Sequence, residues 1–319
     1  MEKNAPILVM GAGSIGERHI SILQKMGYSN IWVFRQRNLP LRNIQENSIQ
    51  TFTDLKQIHA IKPLAAIICT PTSQHLDQAI CCAERGIPML LEKPLANRLY
   101  GIQHLKDIVT RNHVYAQVAY MLRYHPFFQK IKDDIVNRKM GNLIHMQTYW
   151  GEYLPDWHPW EDYRKSYAAQ KELGGGAALT LSHDIDLVNW LSGSEAKKWF
   201  MIKNYNSALD INVESGADTS IIYQNGITAH CHVNFHERIP KRSYHFVFEE
   251  GSIELNYIKA TLTTSHFEKV TVRQLIDFDR NQLYEAQILH FFENINDHNR
   301  DELSLKNLRE SEVILSICL

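Results

Sequence analysis

Lys93 is the first candidate for chemistry, because it directly follows an apolar run that begins at Pro88 and ends at Glu92. Such a run reads as a buried strand, and ligands bind at the carboxyl ends of strands in open parallel sheets. A lysine in that position can hydrogen-bond a substrate hydroxyl or carbonyl and exchange a proton with it. An exposed lysine in a tight turn is the alternative, and the triplet Glu92-Lys93-Pro94 by itself leaves both readings open.

A histidine and two acids form the second candidate. His183, Asp184 and Asp186 follow the glycine triplet 174–176 at the start of a predicted helix that runs to Leu191. His183 and Asp186 are three residues apart and therefore share a helix face, where a carboxylate can fix the tautomer of an imidazole. Acids in a first helical turn are also favoured by the helix dipole, so the pattern fits either role equally.

A loop dense in aromatic and charged residues lies between these candidates, from Asp156 to Arg164. Trp160, Tyr163 and Arg164 are the residue types that bind sugars, with rings against the apolar faces and polar groups on the hydroxyls. A contact between domains or subunits is the alternative.

Histidines alternate along a predicted strand: His230, His232 and His236 share one face with Asn234. A His-x-His pair can hold a metal, but no acid or thiol with recognisable ligand spacing accompanies it. We therefore predict no metal here, and a polar sheet face that lines a cleft or an interface.

The elements that position these residues begin with the run Ile7 to Met10, which leads into Gly11-x-Gly13-x-x-Gly16 and a predicted helix. Strand, glycine turn and helix in this order form the dinucleotide-binding fingerprint. The first glycine allows the tight turn, the second lets the backbone approach a pyrophosphate, and the third lets the helix pack close to the strand. Ser14 and Ile15 complete the predicted cofactor turn.

Arg35 ends the second predicted strand, nineteen residues after Gly16, and Arg37 is nearby. An acid there would bind the ribose hydroxyls of NAD, whereas guanidinium groups suit the 2′-phosphate of NADP. The sequence thus favours NADP(H), with NAD(H) as the alternative. Two solvated surface arginines are the structural explanation of the same pattern.

Strands and helices alternate over the first 122 residues, which predicts a Rossmann domain with a doubly wound parallel sheet. Residues 123–319 instead carry consecutive strands joined by short turns, which predicts an α+β domain with a large, open, mostly antiparallel sheet. We expect the terminal helix to pack back on the Rossmann domain.

Composition narrows the function classes. The 319 residues carry a formal net charge of −1, which does not favour nucleic acid as a partner. No secretory signal or long apolar span is evident, and the five cysteines show no disulfide framework. We expect a cytoplasmic protein that does not contact a membrane.

In combination, these motifs resemble the Gfo/Idh/MocA family of oxidoreductases. The similarity is carried, in order, by the glycine turn, Thr70-Pro71-Thr72 with His75, Glu92-Lys93-Pro94, Arg123 with Pro126, and Gly174-Gly175-Gly176 with His183 and Asp186. The resemblance implies hydride exchange between a nicotinamide and the carbinol carbon of a sugar or nucleotide-sugar. It also implies a homodimer or homotetramer formed through the C-terminal sheet.

Residue roles follow from the same resemblance. Lys93 would be the acid/base, and His183 would bind the reacting oxygen. Cofactor contacts would include Thr70, Pro71, Thr72, His75, Glu92 and Lys93, and substrate contacts Arg123, Trp160, Tyr163, Arg164 and Asp186. The loop 157–167 and the segment 181–186 resemble a bacterial branch associated with surface-polysaccharide sugars.

One position departs from the family pattern. Many members carry an aspartate four residues before the histidine, and this chain has Leu179 there. Asp186 would then orient His183 instead. The departure leaves an alternative, a cofactor-sensing regulatory protein of the same fold that has no turnover.

Overall fold

The computed structural model describes residues 2–36 and 40–319, so the predicted contact of Arg37 lies outside the described residues. The chain is divided into two compact units. The first comprises residues 2–119 and 280–312, and the second comprises residues 120–279 and 313–319.

The first unit is built on a six-stranded parallel sheet with the order β3-β2-β1-β4-β5-β6. Its strands are β1 (Ile7–Met10), β2 (Ile31–Phe34), β3 (Gln50–Phe52), β4 (Ala65–Ile68), β5 (Met89–Glu92) and β6 (Ala116–Ala119). Helices α1 (Ser14–Lys25), α2 (Ile58–Ile61), α3 (Thr72–Glu84) and α4 (Ile102–Arg111) connect them. This order is that of a doubly wound sheet, and its direction of growth reverses between β1 and β4.

The strands of this sheet are short and almost entirely apolar. Every residue of β1, β4, β5 and β6 is buried, and this explains why these segments read as continuous apolar runs instead of alternating patterns. The Rossmann domain predicted from the sequence is confirmed.

The first unit also contains two C-terminal helices, α8 (Asn281–Asn294) and most of α9 (Arg300–Cys318). Phe291 of α8 stacks on Tyr115, with ring centroids 5.8 Å apart. On α9, Ser304 accepts a hydrogen bond from the backbone of Ala116, and Glu312 pairs with Lys106 of α4. These helices therefore pack on elements of the N-terminal sheet domain.

The second unit contains an eight-stranded sheet with the order β14-β13-β12-β11-β7-β10-β9-β8. Its strands are β7 (Leu143–Gly151), β8 (Ala196–Asn204), β9 (Gly216–Tyr223), β10 (Thr228–Asn234), β11 (Lys241–Phe248), β12 (Gly251–Asn256), β13 (Thr261–His266) and β14 (Lys269–Gln274). The pair β7–β10 is parallel and the other pairs are antiparallel, which confirms the mostly antiparallel sheet. Helices α5 (Pro126–Val136), α6 (Ala177–Thr180) and α7 (His183–Ser192) accompany it.

Strand β10 shows the predicted period of two. Cys231 and Val233 are buried, whereas His230 and His232 are half-buried on the opposite face. His232 Nδ1 lies 2.8 Å from the Asp218 carboxylate of β9. Within residues 2–36 and 40–319, no group of three or more His, Cys, Asp or Glu side chains is arranged to hold a metal ion.

The single helix predicted after the glycine triplet is wrong, since the segment forms two helices, α6 and α7. Helix α6 ends at Thr180, followed by Leu181 as its C-cap residue with ψ 22°, and α7 starts afresh with His183 as its first residue. Glu214 accounts for the early start of α6, because its carboxylate accepts a hydrogen bond from the backbone of Ala178. None of the described helices combines the length and the apolar character needed to cross a membrane.

His125 provides a test of the packing in the second unit. It precedes α5, and its Nδ1 accepts a hydrogen bond from the backbone N–H of Phe127 at 3.2 Å. The side chain is buried among the rings of Phe128, Tyr257 and Phe278. Burial, together with the charge of Arg242, lowers the pKa of His125 to about 4.

This lowered pKa makes stability depend on pH. As pH falls, the unfolded chain binds the proton near pH 6.5, before the folded protein does, so stability present above pH 6.5 is lost as pH approaches 4. We expect His125 to remove on the order of 3 kcal/mol of unfolding free energy over that interval. Urea titrations at several pH values should show a shallower decline for His125→Asn, which keeps a capping acceptor but does not titrate. Equal slopes for both proteins would contradict this assignment.

Candidate functional site

The glycine turn after β1 is shaped by close backbone contacts. Gly11 has φ +97°, and a Cβ there would lie 2.9 Å from the Cys69 carbonyl carbon at the end of β4. A Cβ on Gly16 would lie only 2.1 Å from the carbonyl oxygen of Gly11. By contrast, a Cβ on Gly13 would meet no atom within 4 Å. Two of the glycines are therefore required by packing within the fold, and the second one borders open space.

This geometry fits a dinucleotide. Gly13 is the N-cap of α1, and no side chain caps the helix there. The first-turn N–H groups of a helix have no intrahelical partners, and together with the helix dipole they favour an anion such as a pyrophosphate. The absence of a Cβ at Gly13 leaves room for that group to approach the backbone.

Arg35 lies just past β2, and its side chain is only 6% exposed. Its Nη1 donates to both carboxylate oxygens of Glu46, at 3.1 and 3.3 Å, and the Glu46 side chain is 58% exposed. The guanidinium predicted to meet a cofactor phosphate thus already has an acidic partner on the same unit.

Thr70 and His75 connect two strand ends of this sheet. The Thr70 hydroxyl donates to Gln78 at 2.8 Å. The His75 ring lies between two carbonyl oxygens, with Nε2 2.8 Å from that of Thr70 and Nδ1 2.8 Å from that of Pro94. Burial lowers the pKa of His75. His75 therefore joins the end of β4 to the turn that carries Lys93.

Glu92 and Lys93 stand at the end of β5, as predicted. Lys93 is half-buried, and a cis peptide bond links it to Pro94. Glu92 is buried, and its Oε1 lies 2.7 Å from His19 Nε2 on α1. His19 was missed by the sequence reasoning. The available signal was its place three residues after Gly16, on the face of α1 that must pack against the sheet.

The second unit surrounds His183 with aromatic rings. His183 is buried, contacts Tyr120 edge-on at 6.0 Å between ring centroids, and lies 6.1 Å from the Trp150 ring. Arg123 donates to both oxygens of Asp186, with Nη2 2.6 Å from Oδ1. Two predicted substrate residues, Arg123 and Asp186, are thus brought together as an ion pair.

The residue next to His183 is also fixed. Asp184 is fully buried and accepts from Arg242 at 2.7 Å and from the Tyr244 hydroxyl at 2.9 Å. The Arg242 guanidinium stacks 3.6 Å from the centre of the Trp150 ring. This pair anchors the first turn of α7 to the sheet and thereby positions His183.

The three predicted substrate residues of the aromatic loop differ in exposure and in hydrogen bonding. Trp160 is 58% exposed, and Arg164 pairs with Asp162 at 2.8 Å. The Tyr163 hydroxyl accepts a hydrogen bond from the backbone of Asp210 at 3.2 Å. The indole of Trp160 is therefore largely exposed, whereas the guanidinium of Arg164 is oriented by an acid.

The glycine triplet serves to fit α6 against its neighbours. A Cβ on Gly176 would lie 2.4 Å from a Glu214 carboxylate oxygen, and one on Gly175 would lie 2.4 Å from the carbonyl oxygen of Tyr167. Leu179 is buried within α6. At this position the chain therefore offers an apolar side chain where many members of the family place an acid.

Solved structures share the whole fold. Myo-inositol 2-dehydrogenase from Lactobacillus plantarum superposes with a TM-score of 0.79 at 18% identity, and the match covers 99% of this chain and 95% of that one. A levoglucosan dehydrogenase in complex with NADH and L-sorbose gives a TM-score of 0.80 at 16% identity, covering 99% and 97%. At these identities, the likeness concerns the fold alone.

A relative is also found by sequence. The chain is 28% identical over 190 residues to the rhizopine catabolism protein MocA of Rhizobium meliloti, a match that covers 59% of this chain. The matched segment spans 57% of the relative's own length.

Gly13 and Gly16 provide a matched pair for testing the glycine turn. Gly13→Ala should cost less than about 1 kcal/mol of stability, because its Cβ meets open space, but should weaken dinucleotide binding about tenfold or more. Gly16→Ala should lower the unfolding free energy by at least about 2 kcal/mol, because its Cβ overlaps the Gly11 carbonyl. Thermal unfolding and fluorescence titration with NADH and NADPH measure both effects. Unchanged cofactor affinity in Gly13→Ala would contradict the placement of the pyrophosphate.

Two family models cover most of the sequence. Residues 6–120 match the model described as "Oxidoreductase family, NAD-binding Rossmann fold", and residues 128–254 match the "GFO/IDH/MocA C-terminal domain". The two matches follow the two sheets in order along the chain. The chain belongs to the Gfo/Idh/MocA family of NAD-binding oxidoreductases.

Proposed function

We propose that this protein is an NAD(P)-dependent dehydrogenase or reductase that acts on a carbinol carbon of a sugar or nucleotide-sugar. The observation that carries the proposal is the position of Lys93, at the carboxyl end of β5 in the same sheet edge as the glycine turn. Ligands of doubly wound sheets bind at this edge.

Lys93 would exchange the proton of the substrate hydroxyl. Lys93 lies in a turn whose backbone is held by His75 on one side and by the buried Glu92 on the other. The point from which its side chain extends is therefore fixed. When bound, the nicotinamide would accept or donate the hydride at its C4. Proton exchange by a positioned amine typically contributes about 10² to 10⁴ in rate.

His183 would hold the reacting oxygen. Its imidazole is restrained by the rings of Tyr120 and Trp150 and by the Asp184–Arg242 pair at the next residue. A restrained imidazole loses little conformational freedom when it hydrogen-bonds a substrate oxygen. Since Asp186 accepts from Arg123, we assign this pair to substrate hydroxyls, together with Trp160, Tyr163 and Arg164 of the aromatic loop.

We propose a sugar substrate because the polar and aromatic residues in the second unit are those that bind polyols. The structural neighbours described above agree with this class: one is named for myo-inositol, and another was solved with L-sorbose. The bacterial surface-polysaccharide branch remains part of the proposal.

NADP(H) is the proposed cofactor, with Arg35 on the 2′-phosphate. Glu46 competes for the same guanidinium, but its carboxylate is largely exposed, and such pairs contribute about 1 kcal/mol or less. A phosphate that takes several charge-assisted hydrogen bonds can replace it. Cofactor contacts are also assigned to Thr70, Pro71 and Thr72 at the end of β4, beside Gly11.

Oligomerisation and location complete the proposal. Phe200 and Ile202 of β8 share a face with Ile222 of β9, and they are 66%, 57% and 39% exposed. An exposed apolar cluster on a sheet is typical of an interface, which supports a homodimer or homotetramer formed through this sheet. We assign the protein to the cytoplasm, and its domains to residues 1–122 and 123–319.

A regulatory protein that senses the cofactor without turnover is the second candidate. The buried Leu179 favours it, because the family resemblance leads one to expect an aspartate at this position, four residues before the histidine. A panel of sugars and polyols assayed at 340 nm with each cofactor separates the two functions. Cofactor binding without any turnover by the wild-type protein would support the sensor.

Lys93→Met tests the proposed reaction. We expect turnover to fall by about 10² or more while cofactor affinity stays within roughly threefold, because proton exchange is lost and the glycine turn is untouched. The control is Lys56→Met, which changes an exposed lysine of the same unit and should keep wild-type turnover. Full activity in Lys93→Met would exclude Lys93 as the acid/base.

Arg35→Ser tests the cofactor assignment. Loss of charge-assisted hydrogen bonds to the 2′-phosphate should raise the Kd for NADPH by about tenfold to a hundredfold and leave that for NADH nearly unchanged. Arg111→Ser, at an exposed arginine ending α4, is the control. An equal effect of Arg35→Ser on both cofactors would show that Arg35 does not read the phosphate.

A further inference from the structure

Glu92 is an acid buried one residue before the proposed acid/base. Its side chain is 10% exposed, and that of His19 is 0% exposed. One carboxylate oxygen lies 2.7 Å from His19 Nε2, and the other accepts from the backbone N–H of Lys93 at 3.3 Å. The carboxylate is thus held between helix α1 and the turn that carries Lys93.

The hydrogen bonding of His19 fixes the position of the Glu92 carboxylate. A carboxylate oxygen only accepts, so the His19 Nε2 carries the hydrogen. Among the described residues, none offers a hydrogen-bond partner to His19 Nδ1, which is fully buried. A second proton on this ring would bury an N–H without an acceptor. The hydrogen on Nε2 therefore serves the Glu92 carboxylate, and His19 holds that carboxylate in place against α1.

Four titratable groups face this carboxylate from the neighbouring elements: His19 on α1, His75 on α3, Cys69 after β4, and Lys93. Burial pushes the pKa of Glu92 upward, but the hydrogen bond from His19 and the charges of His19, Lys93 and His75 outweigh it and leave the pKa below its usual value. Burial, and then the charge of Glu92, raise the pKa of the Cys69 thiol well above its usual value. Of the groups whose charge lowers the pKa of Glu92, Lys93 is the one that adjoins it in the chain.

We propose that His19 is a positioning residue that holds the Glu92 carboxylate beside Lys93, and that this buried negative charge sets the pH at which Lys93 exchanges its proton. Because opposite charges favour each other's ionised form, the carboxylate favours the ammonium form of Lys93. The importance of this effect for turnover rests on the proposed function, whereas the effect itself does not require a substrate.

The pH-dependent acetylation of Lys93 measures this directly. The full-length, cofactor-free protein is treated with trace acetic anhydride across a pH series, and Lys93 modification is quantified by mass spectrometry. Only the neutral amine reacts, so the midpoint reports the proton affinity of Lys93. Exposed Lys56, in the same molecule, is the internal reference.

We expect Glu92→Gln, which has the same shape but no charge, to move the Lys93 midpoint down by about one pH unit and leave that of Lys56 unchanged. His19→Leu should move it in the same direction, because a buried carboxylate without a donor takes up a proton. His19→Gln, which places an amide N–H near the position of Nε2, should restore a midpoint close to that of the wild-type protein.

An unchanged Lys93 midpoint in folded Glu92→Gln would overturn the proposal. If that variant does not fold, as judged by circular dichroism, His19→Leu decides in the same way. Equal Lys93 midpoints for His19→Leu and His19→Gln would show that His19 does not act by donating a hydrogen bond to Glu92. Since labelling needs neither substrate nor cofactor, these outcomes are independent of the turnover test on Lys93→Met.

Discussion

The close approach of helix α1 to the end of strand β1 is the constraint on which the proposed cofactor chemistry depends. Only glycine fits at position 16, because any Cβ would overlap the Gly11 carbonyl oxygen. This approach places the N-terminus of α1 where it can hold an anion, and it brings His19, one turn further along, within 2.7 Å of Glu92. Helix α1, which follows the glycine turn, and the strand end that carries Lys93 are thereby connected through one buried hydrogen bond.

A comparable constraint operates in the second unit, where Asp184 and Arg242 form a buried ion pair below the first turn of α7. Removing one partner of such a pair leaves an uncompensated charge and typically costs about 3–5 kcal/mol. The aromatic rings of Trp150 and Tyr244 complete its environment. This pair also fixes the position of His183, the residue before Asp184. Asp184 cannot move away from the sheet without leaving the buried Arg242 guanidinium unpaired.

Much of the architecture could be predicted from local sequence patterns. Strands β1 and β5 are buried on both faces and therefore appear as continuous apolar runs. Strand β10 is buried on one face and therefore shows a period of two. Contacts between distant residues could not be predicted. The pairing of Arg35 with Glu46, and that of His19 with Glu92 across 73 positions, depend on how the elements pack. The start of α6 depends in the same way on Glu214, which accepts from the Ala178 backbone from another part of the chain.

We propose that hydride passes between nicotinamide and a carbinol carbon, with Lys93 as the proton donor or acceptor. The most direct measurement is isotope transfer: the protein is incubated with NADPH or NADH that carries deuterium at both C4 positions and a panel of keto-sugars, and the products are analysed by mass spectrometry. With the wild-type protein we expect a reduced sugar one mass unit heavier than the product made with unlabelled cofactor. With Lys93→Met the amount of this labelled product should be on the order of a hundredfold lower. Tight cofactor binding with all deuterium retained on the nicotinamide would contradict it.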